Sequence, residues 1–172
     1  MLNRITLAIL CTLFASASVA YIVEGTRISR PQMLSYAKNK LQNQGTVEQT
    51  ANGITYLKIP DSYTKELLQQ IQMPGYGPPK QSQIPIIGEH EAKNIIKFSE
   101  LGKTVRFKPL GFYTIMEDNL EYFVLAVDAP ELSYLRTKYG LSEKLENHDF
   151  KVVIGVRTIV DHDEIVNTTL NN

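Results

Sequence analysis

The residues best suited to proton transfer in this chain of 172 residues are its three histidines, His90, His148 and His162. Imidazole titrates near neutral pH, so a histidine can serve as a general acid or a general base. The one cysteine, Cys11, lies in an apolar N-terminal stretch, and the rest of the chain has no thiol chemistry. The sequence contains no phosphate-binding loop, zinc-ligand spacing or nucleophile elbow. It therefore predicts no metal and no cofactor.

The segment around His162 resembles a metal-binding cluster only superficially. His162 is flanked by Asp161 and Asp163. Adjacent side chains on a strand point to opposite faces, so these three do not converge on one ion. We interpret the segment as a solvated turn.

Composition indicates a globular chain, with 43% hydrophobic and 21% charged residues. The 18 basic and 18 acidic residues give a net charge of zero. Nucleic-acid binding without sequence preference normally needs a strongly basic face. The balance of charge therefore gives no strong signal for a nucleic-acid partner, although it is compatible with a local basic patch.

The N-terminus is organised like an export signal. Arg4 precedes the apolar stretch 5–14, and Ser18-Val19-Ala20 places small residues at −3 and −1 of a cleavage site. The sequence predicts a signal peptide over residues 1–20 and a periplasmic or secreted bacterial protein without a membrane anchor. The alternative is an uncleaved anchor, because the apolar stretch continues through Tyr21-Ile22-Val23.

The order of hydrophobic patterns after the signal is typical of an α+β fold. An N-terminal helical segment is predicted within residues 21–50, followed by a domain at residues 51–172. This domain contains two strand–helix–strand units, at residues 54–87 and 122–155.

The two units are related by a constant offset of 68 residues (122 − 54) without a gap. The offset aligns Leu57 with Leu125, Ile59 with Val127, Leu67 with Leu135, Ile84 with Val152, and Ile86 with Ile154. A repeat of this kind predicts two pseudo-symmetric lobes of antiparallel sheet, with outer helices, around a central cleft. The alternative is coincidence between two ordinary apolar patterns.

The second unit resembles a known family in the residues around its last strand. Residues 129–141 and His148-Asp149-Phe150-Lys151-Val152-Val153-Ile154-Gly155 are similar to the Swiss-army-knife RNA-repair-like branch of the 2H phosphoesterase superfamily. The final strand of that branch typically reads His-Asp-Phe-His-hydrophobic-Thr-hydrophobic-Gly. Its first active strand typically reads His-hydrophobic-Ser-hydrophobic after a Pro-Pro loop, where this chain has Gln83-Ile84-Pro85-Ile86 after Pro78-Pro79. The resemblance covers residues 52–157.

The resemblance implies two lobes whose active strands meet in a cleft. Each strand of the family offers a His and, two residues later, a Ser or Thr, a spacing that puts both side chains on one face of the strand. In the family the histidines act as general base and general acid, and the hydroxyls hold the phosphate oxygens. The reaction is opening or hydrolysis of a phosphodiester, often a cyclic one at an RNA or nucleotide end.

This chain departs from the family at all four motif positions, which read Gln83, Pro85, Lys151 and Val153. Gln83 does not titrate, Pro85 and Val153 have no hydroxyl, and a lysine is normally protonated at neutral pH. General acid–base catalysis contributes about 10²–10⁴-fold, so we expect the family's turnover to be lost. The sequence predicts an exported, non-catalytic protein that binds an anionic ligand or a protein partner, with Lys151 as the ligand-binding candidate.

Two alternatives stay open. His90, in Gly88-Glu89-His90-Glu91, begins a competing register, although Ala92 and the residues after it make a poor strand. An active phosphodiesterase for cyclic-phosphate nucleotides or RNA ends would recruit His90, His148 or Lys151 in a rearranged site. The other alternative is an interaction module with a filled, vestigial cleft.

Four further residues are candidates for the surroundings of Lys151. Lys80, Arg106 and Lys108 are basic, and Tyr76 lies in a glycine- and proline-rich loop at a plausible rim of the cleft. Individually, each is better explained as a solvated charge or an ordinary loop residue.

Overall fold

The computed structural model describes residues 25–93, 98–146 and 148–159, and this part of the chain forms two four-stranded antiparallel sheets and a few helices. The strands are β1 (Thr26–Ile28), β2 (Gln44–Gln49), β3 (Thr55–Lys58), β4 (Gln83–Ile87), β5 (Thr104–Arg106), β6 (Lys108–Glu117), β7 (Leu120–Asp128) and β8 (Lys151–Thr158). The helices are α1 (Pro31–Asn39), α2 (Asp61–Gln70), α3 (Glu89–Ala92) and α4 (Pro130–Lys138). The predicted α+β class is confirmed.

The helix boundaries follow from local sequence. Pro31 and Pro130 occupy the first turns of α1 and α4, where the missing backbone N–H has no intrahelical partner to lose. In α4, Glu131 lies in the first turn and Lys138 in the last, which complements the helix dipole. Gly140 then adopts a φ of +75°, a conformation that a residue without Cβ reaches without strain, and the helix ends.

The two sheets have the same strand order. The first sheet runs β4-β3-β2-β5 and the second runs β8-β7-β6-β1. Each has a hairpin at its centre, a short edge strand on one side, and on the other side a strand that returns after a helix. The returning strands β4 and β8 contact each other, so the sheets meet along these two strands. Helix α2, which precedes β4 in the chain, packs on β8, and helix α4, which precedes β8, packs on β4. Each of these two helices therefore covers the sheet of the other repeat unit.

The two sheets also share their strand register. In the first sheet Tyr56 pairs with Pro85 and Lys58 with Gln83, and in the second sheet Val124 pairs with Val153 and Ala126 with Lys151. Each of these residues in the second sheet lies 68 positions after its counterpart in the first, for example 153 − 85. The register of both ladders shifts at the same place, directly before Tyr56 and Val124. The predicted repeat is therefore present in the backbone pairing.

The core repeats in the same way. All five pairs of apolar residues aligned by the offset are at most 1% exposed. Full burial of a Val, Leu or Ile side chain contributes about 1.5–3 kcal/mol relative to exposure. These positions therefore account for much of the stability of both units, and they fix which face of β4 and β8 turns away from the core.

The predicted boundary between a helical segment at 21–50 and a domain at 51–172 is wrong. The segment contains α1, but it also contains β1 and β2, one strand of each sheet. Strand β2 pairs with β3 across the predicted boundary, with Val47 opposite Leu57. The sequence of β2, QGTVEQ, has one strongly apolar residue, so it lacks the alternation that marks a half-buried strand.

The predicted signal peptide, its alternative as a membrane anchor, and His162 lie outside the described residues. Within those that are described, no helix has the length and apolar character that crossing a membrane requires.

Candidate functional site

The four motif positions line one cleft between β4 and β8. The cleft has a volume of about 780 Å³, and Gln83 and Pro85 line it from β4 while Lys151 and Val153 line it from β8. All four side chains are half-buried, whereas the residue after each of them is at most 1% exposed and faces the core. The alternation of a strand therefore delivers two side chains from each unit to one cleft.

The remaining walls of the cleft come from the loop before β4 and from β7 and β8. They are formed by Pro78, Pro79, Lys80, Gln81, Leu120, Tyr122 and Val156. Most of the lining is apolar, and the described residues that form it include two lysines and no acidic side chain. This cleft is open rather than filled.

Neither Lys80 nor Lys151 has a carboxylate within 4 Å among the described residues. In contrast, Lys58, Lys103, Lys138 and Lys144 each form an ion pair. Two ammonium groups without a neighbouring counter-charge give the cleft a positive potential, which attracts and retains an anion. Lys151 is half-buried and Lys80 is exposed, so the positive charge extends from within the cleft to its mouth.

Gln83 carries a polar atom without a partner. Its Oε1 is buried, and no donor from the described residues reaches it. A buried acceptor left without a hydrogen bond costs about 1–3 kcal/mol. Because Oε1 is an acceptor, an anion in the cleft would be bound by the amide Nε2–H of Gln83 and not by this oxygen.

The loop at residues 72–82, which supplies one wall, is held against β8. The Gly77 N–H donates to the Val156 carbonyl at 2.8 Å, and the Val156 N–H donates to the Gly77 carbonyl at 3.0 Å. Gly155 permits this close approach, because a Cβ at that position would lie 2.9 Å from Leu68 Cδ1 and 3.2 Å from the Tyr76 ring. The wall is therefore fixed on β8 rather than free.

Tyr76 anchors that loop and does not line the cleft, contrary to its predicted place at the rim. Its ring meets Phe123 edge-on with centroids 6.0 Å apart, and the Arg157 guanidinium lies 4.9 Å from the ring centre. Burial, and then the neighbouring Glu121 carboxylate, raise the pKa of the Tyr76 hydroxyl to about 12. The aromatic ring lies inward because it makes more apolar contacts there than it would at the surface.

The predicted alternative register is wrong. His90 lies on helix α3 rather than on a strand, and its side chain is exposed. Gly88 before the helix and two glutamates in its first turn favour that short helix. His148 is half-buried before β8, where its backbone N–H donates to the Leu145 carbonyl at 2.9 Å. Neither histidine lines the cleft.

Of the basic residues predicted around Lys151, the structure brings only Lys80 to the cleft. Arg106 and Lys108 are exposed on β5 and β6, and they do not contribute to the lining. Strand β5 is the edge strand opposite β4 in its sheet, and β7 lies between β6 and β8, so neighbouring strands separate both residues from β4 and β8.

Arg136 is fully buried although it is charged, and it ties helix α4 to the end of β4. Its guanidinium donates to both Glu91 carboxylate oxygens, at 2.7 and 2.8 Å. It also donates to the carbonyls of Ser142 at 2.8 Å, Lys144 at 3.0 Å, and Ile86. The hydrogen bond from Arg136 lowers the pKa of Glu91. One residue of the second unit thus fixes the strand of the first unit that carries Gln83.

Sequence reasoning missed Arg136. The signal is its position four residues after Leu132, on the helix face that is otherwise apolar. A lone arginine at such a position indicates a buried, paired charge, because an unpaired one is too costly to bury.

Comparison with known protein families, with curated proteins and with solved structures finds no match to this chain. The described residues of the cleft include no His, Cys, Ser, Thr, Asp or Glu. In the described part of the chain, no three His, Cys, Asp or Glu side chains are grouped closely enough to hold a metal ion. The lining suits retention of an anion rather than proton transfer.

Proposed function

We propose that this protein is an exported, non-catalytic relative of the 2H phosphoesterases that binds an anionic small molecule in the cleft between β4 and β8. The observation that carries the proposal is the gathering of Gln83, Pro85, Lys151 and Val153 on equivalent strands at one open cleft. These four positions align with the catalytic histidines and phosphate-binding hydroxyls of the family, and this chain has neither residue type at any of them.

The charge of the cleft supports an anionic ligand. Lys80 and Lys151 line it, and no acidic side chain among the described residues opposes them there. A unit charge about 4 Å from an ammonium group interacts by about 4 kcal/mol at the effective dielectric constant of a protein surface. The volume of about 780 Å³ lies within the range of roughly 300–1,000 Å³ that is usual for small-molecule sites.

The lining also supports binding without turnover. A 2H-type reaction needs a base and an acid that exchange protons near neutral pH, and imidazole supplies both. Here Gln83 and Lys151 hold the two corresponding places, and both phosphate-anchoring hydroxyls are replaced, by Pro85 and Val153. The side chains that remain are those of a binding site.

Titration of the purified protein with inorganic phosphate and with a 2′,3′-cyclic nucleotide, followed by calorimetry or NMR, tests the anion site. We expect both probes to bind and Lys151→Gln to weaken them at least about tenfold, the equivalent of 1.4 kcal/mol. The matched control is Lys108→Gln, which removes an exposed lysine outside the cleft. Binding that is absent, or unchanged in Lys151→Gln, contradicts the proposal.

A further inference from the structure

We infer that the ligand of the cleft is an anionic amphiphile, with one carboxylate or phosphate head at Lys151 and an apolar chain along the walls. This inference rests on the proposed anion site and adds the chemical class of the ligand. It depends on how polar and apolar side chains are distributed around the cleft.

Apolar side chains make up more than half of the residues that line the cleft. Six residues supply them: Pro78, Pro79, Pro85, Leu120, Val153 and Val156. Pro85 and Val153 lie two residues beyond Gln83 and Lys151 on the same strand faces, so an apolar surface begins directly beside the polar pair. Proline has no backbone N–H either, so this part of β4 offers a ligand one donor fewer.

This surface disfavours a ligand that is polar throughout. A nucleotide or sugar phosphate with its phosphate at Lys151 would place some of its hydroxyls against Pro85 and Val153, whose side chains offer no hydrogen bond, so we expect it to bind more weakly than an amphiphile of equal charge. Burying a hydroxyl without a hydrogen bond is unfavourable. A hydrocarbon chain in the same place loses no hydrogen bonds and gains from leaving water.

The two lysines suit the head of such a ligand. Lys151 is half-buried beside the apolar surface, and Lys80 is exposed at the mouth. A lysine can lay its methylene stem along apolar surface while its ammonium group meets an anion. Lysine binds as a point charge rather than by a fixed geometry, so carboxylate and phosphate heads are both compatible with the site.

The test is a calorimetric series of hexanoate, octanoate and decanoate with the full protein, below the concentrations at which they form micelles. Each added methylene should tighten binding about fourfold, which corresponds to about 0.8 kcal/mol per buried methylene. Decanol should bind at least about tenfold more weakly than decanoate, because it lacks the charge. Decyl phosphate, compared with decanoate, distinguishes the two kinds of head.

Two variants localise the effect. Lys151→Gln should weaken decanoate at least about tenfold while the gain per methylene persists, since the apolar surface is unchanged. Val153→Thr is nearly isosteric and adds a hydroxyl to that surface, so it should lower the gain per methylene. Lys108→Gln, outside the cleft, should change neither. Circular dichroism verifies that each variant is folded.

The outcomes separate this inference from the proposed anion site. If phosphate and acetate bind through Lys151 but affinity does not increase with chain length, the amphiphile inference is wrong and the anion site remains supported. A chain-length gain that is unaffected by Val153→Thr, or decanoate that binds no more tightly than decanol, also overturns it, because the chain or the head then binds elsewhere. A protein that binds none of these probes in a Lys151-dependent way contradicts both.

Discussion

Gln83 and Lys151 occupy the same register position in two copies of one strand pairing. Gln83 pairs with Lys58 in the first sheet, and Lys151 pairs with Ala126, 68 residues after Lys58, in the second. Because β4 and β8 contact each other, this relationship brings the two side chains to one cleft. A ligand in the cleft would therefore contact both repeat units.

Arg136 should be the most important polar side chain for holding the units together. We expect Arg136→Met to lower the free energy of unfolding by about 3–5 kcal/mol, because it leaves Glu91 and the Ile86 carbonyl without their donor. Urea unfolding followed by circular dichroism measures the change.

A matched control is available on the same helix. Glu131 of α4 forms an ion pair with Lys103 at 3.0 Å, and both side chains are close to half exposed. Lys103→Gln should cost about 0–1 kcal/mol, as is usual for surface pairs. If Arg136→Met costs no more than this control, the proposed role of Arg136 is wrong.

The stability of the protein should fall in acid, partly because of Glu100. Burial raises the pKa of Glu100, but hydrogen bonds from Lys138, Tyr139 and Ser99 outweigh it and lower the pKa to about 2, from 4.5 for the free side chain. A pKa that is lower in the folded state adds stability above about pH 4.5. That contribution is lost as the pH falls towards 2. The lowered pKa of Glu91 acts in the same direction.

Glu100→Gln tests this account. The variant should be less stable than the wild type at pH 7, and the difference should shrink as the pH falls from 5 to 2, because protonated Glu100 resembles glutamine. Urea unfolding at pH 7, 5, 3 and 2 gives the two curves. Parallel curves over that range would exclude Glu100 as a source of the acid sensitivity.

The parts of the fold that the sequence predicts are those governed by apolar alternation. The offset of 68 residues (151 − 83) aligned buried positions in both units, and the same offset applies to the strand pairing. Once Ile84 and Val152 are assigned to the core, the period of a strand places Gln83 and Lys151 on the other face. The positions of the cleft residues therefore follow from local pattern.

The parts that the sequence does not predict depend on long-range contacts. Strand β2 is polar and is defined by its neighbours β3 and β5 rather than by its own pattern. The pair Arg136–Glu91 joins residues 45 positions apart, and neither residue alone specifies its partner. The inward position of Tyr76 depends on the space left by Gly155. Each of these features is decided by tertiary packing, which overrides local preference.

Replacement of Gln83 should raise the stability of the protein and weaken its binding of anions. Gln83→Met keeps the length of the side chain and removes the buried Oε1 that lacks a donor. We expect it to stabilise the protein by about 1 kcal/mol, or about 2–4 °C in the melting temperature. It should also weaken the binding of anionic probes, because it removes the amide N–H that can donate to an anion. Differential scanning calorimetry and titration measure the two effects.

Gln81→Met is the control for that substitution. Gln81 also lines the cleft, but its side chain is exposed. Its replacement relieves no buried unsatisfied atom, so the melting temperature should not rise. Equal gains in the two variants would mean that the stability effect is general to methionine and not specific to the buried oxygen of Gln83.

The final prediction concerns catalysis. The wild-type protein should not hydrolyse 2′,3′-cyclic nucleotides above background. Changing Gln83→His, Pro85→Ser, Lys151→His and Val153→Thr together would place an imidazole and a hydroxyl at equivalent positions on β4 and β8. If the resemblance to the 2H phosphoesterases is correct, turnover should rise by about 10²–10⁴-fold. Its pH profile should be bell-shaped, because one imidazole must be neutral and the other protonated.

The triple variant that retains Lys151 should stay inactive. A folded quadruple variant without turnover would contradict the resemblance, since the register that it implies is already present in both strands. Wild-type turnover that disappears in Lys151→Ala would instead assign a catalytic role to the lysine and end the proposal of a pure binding protein.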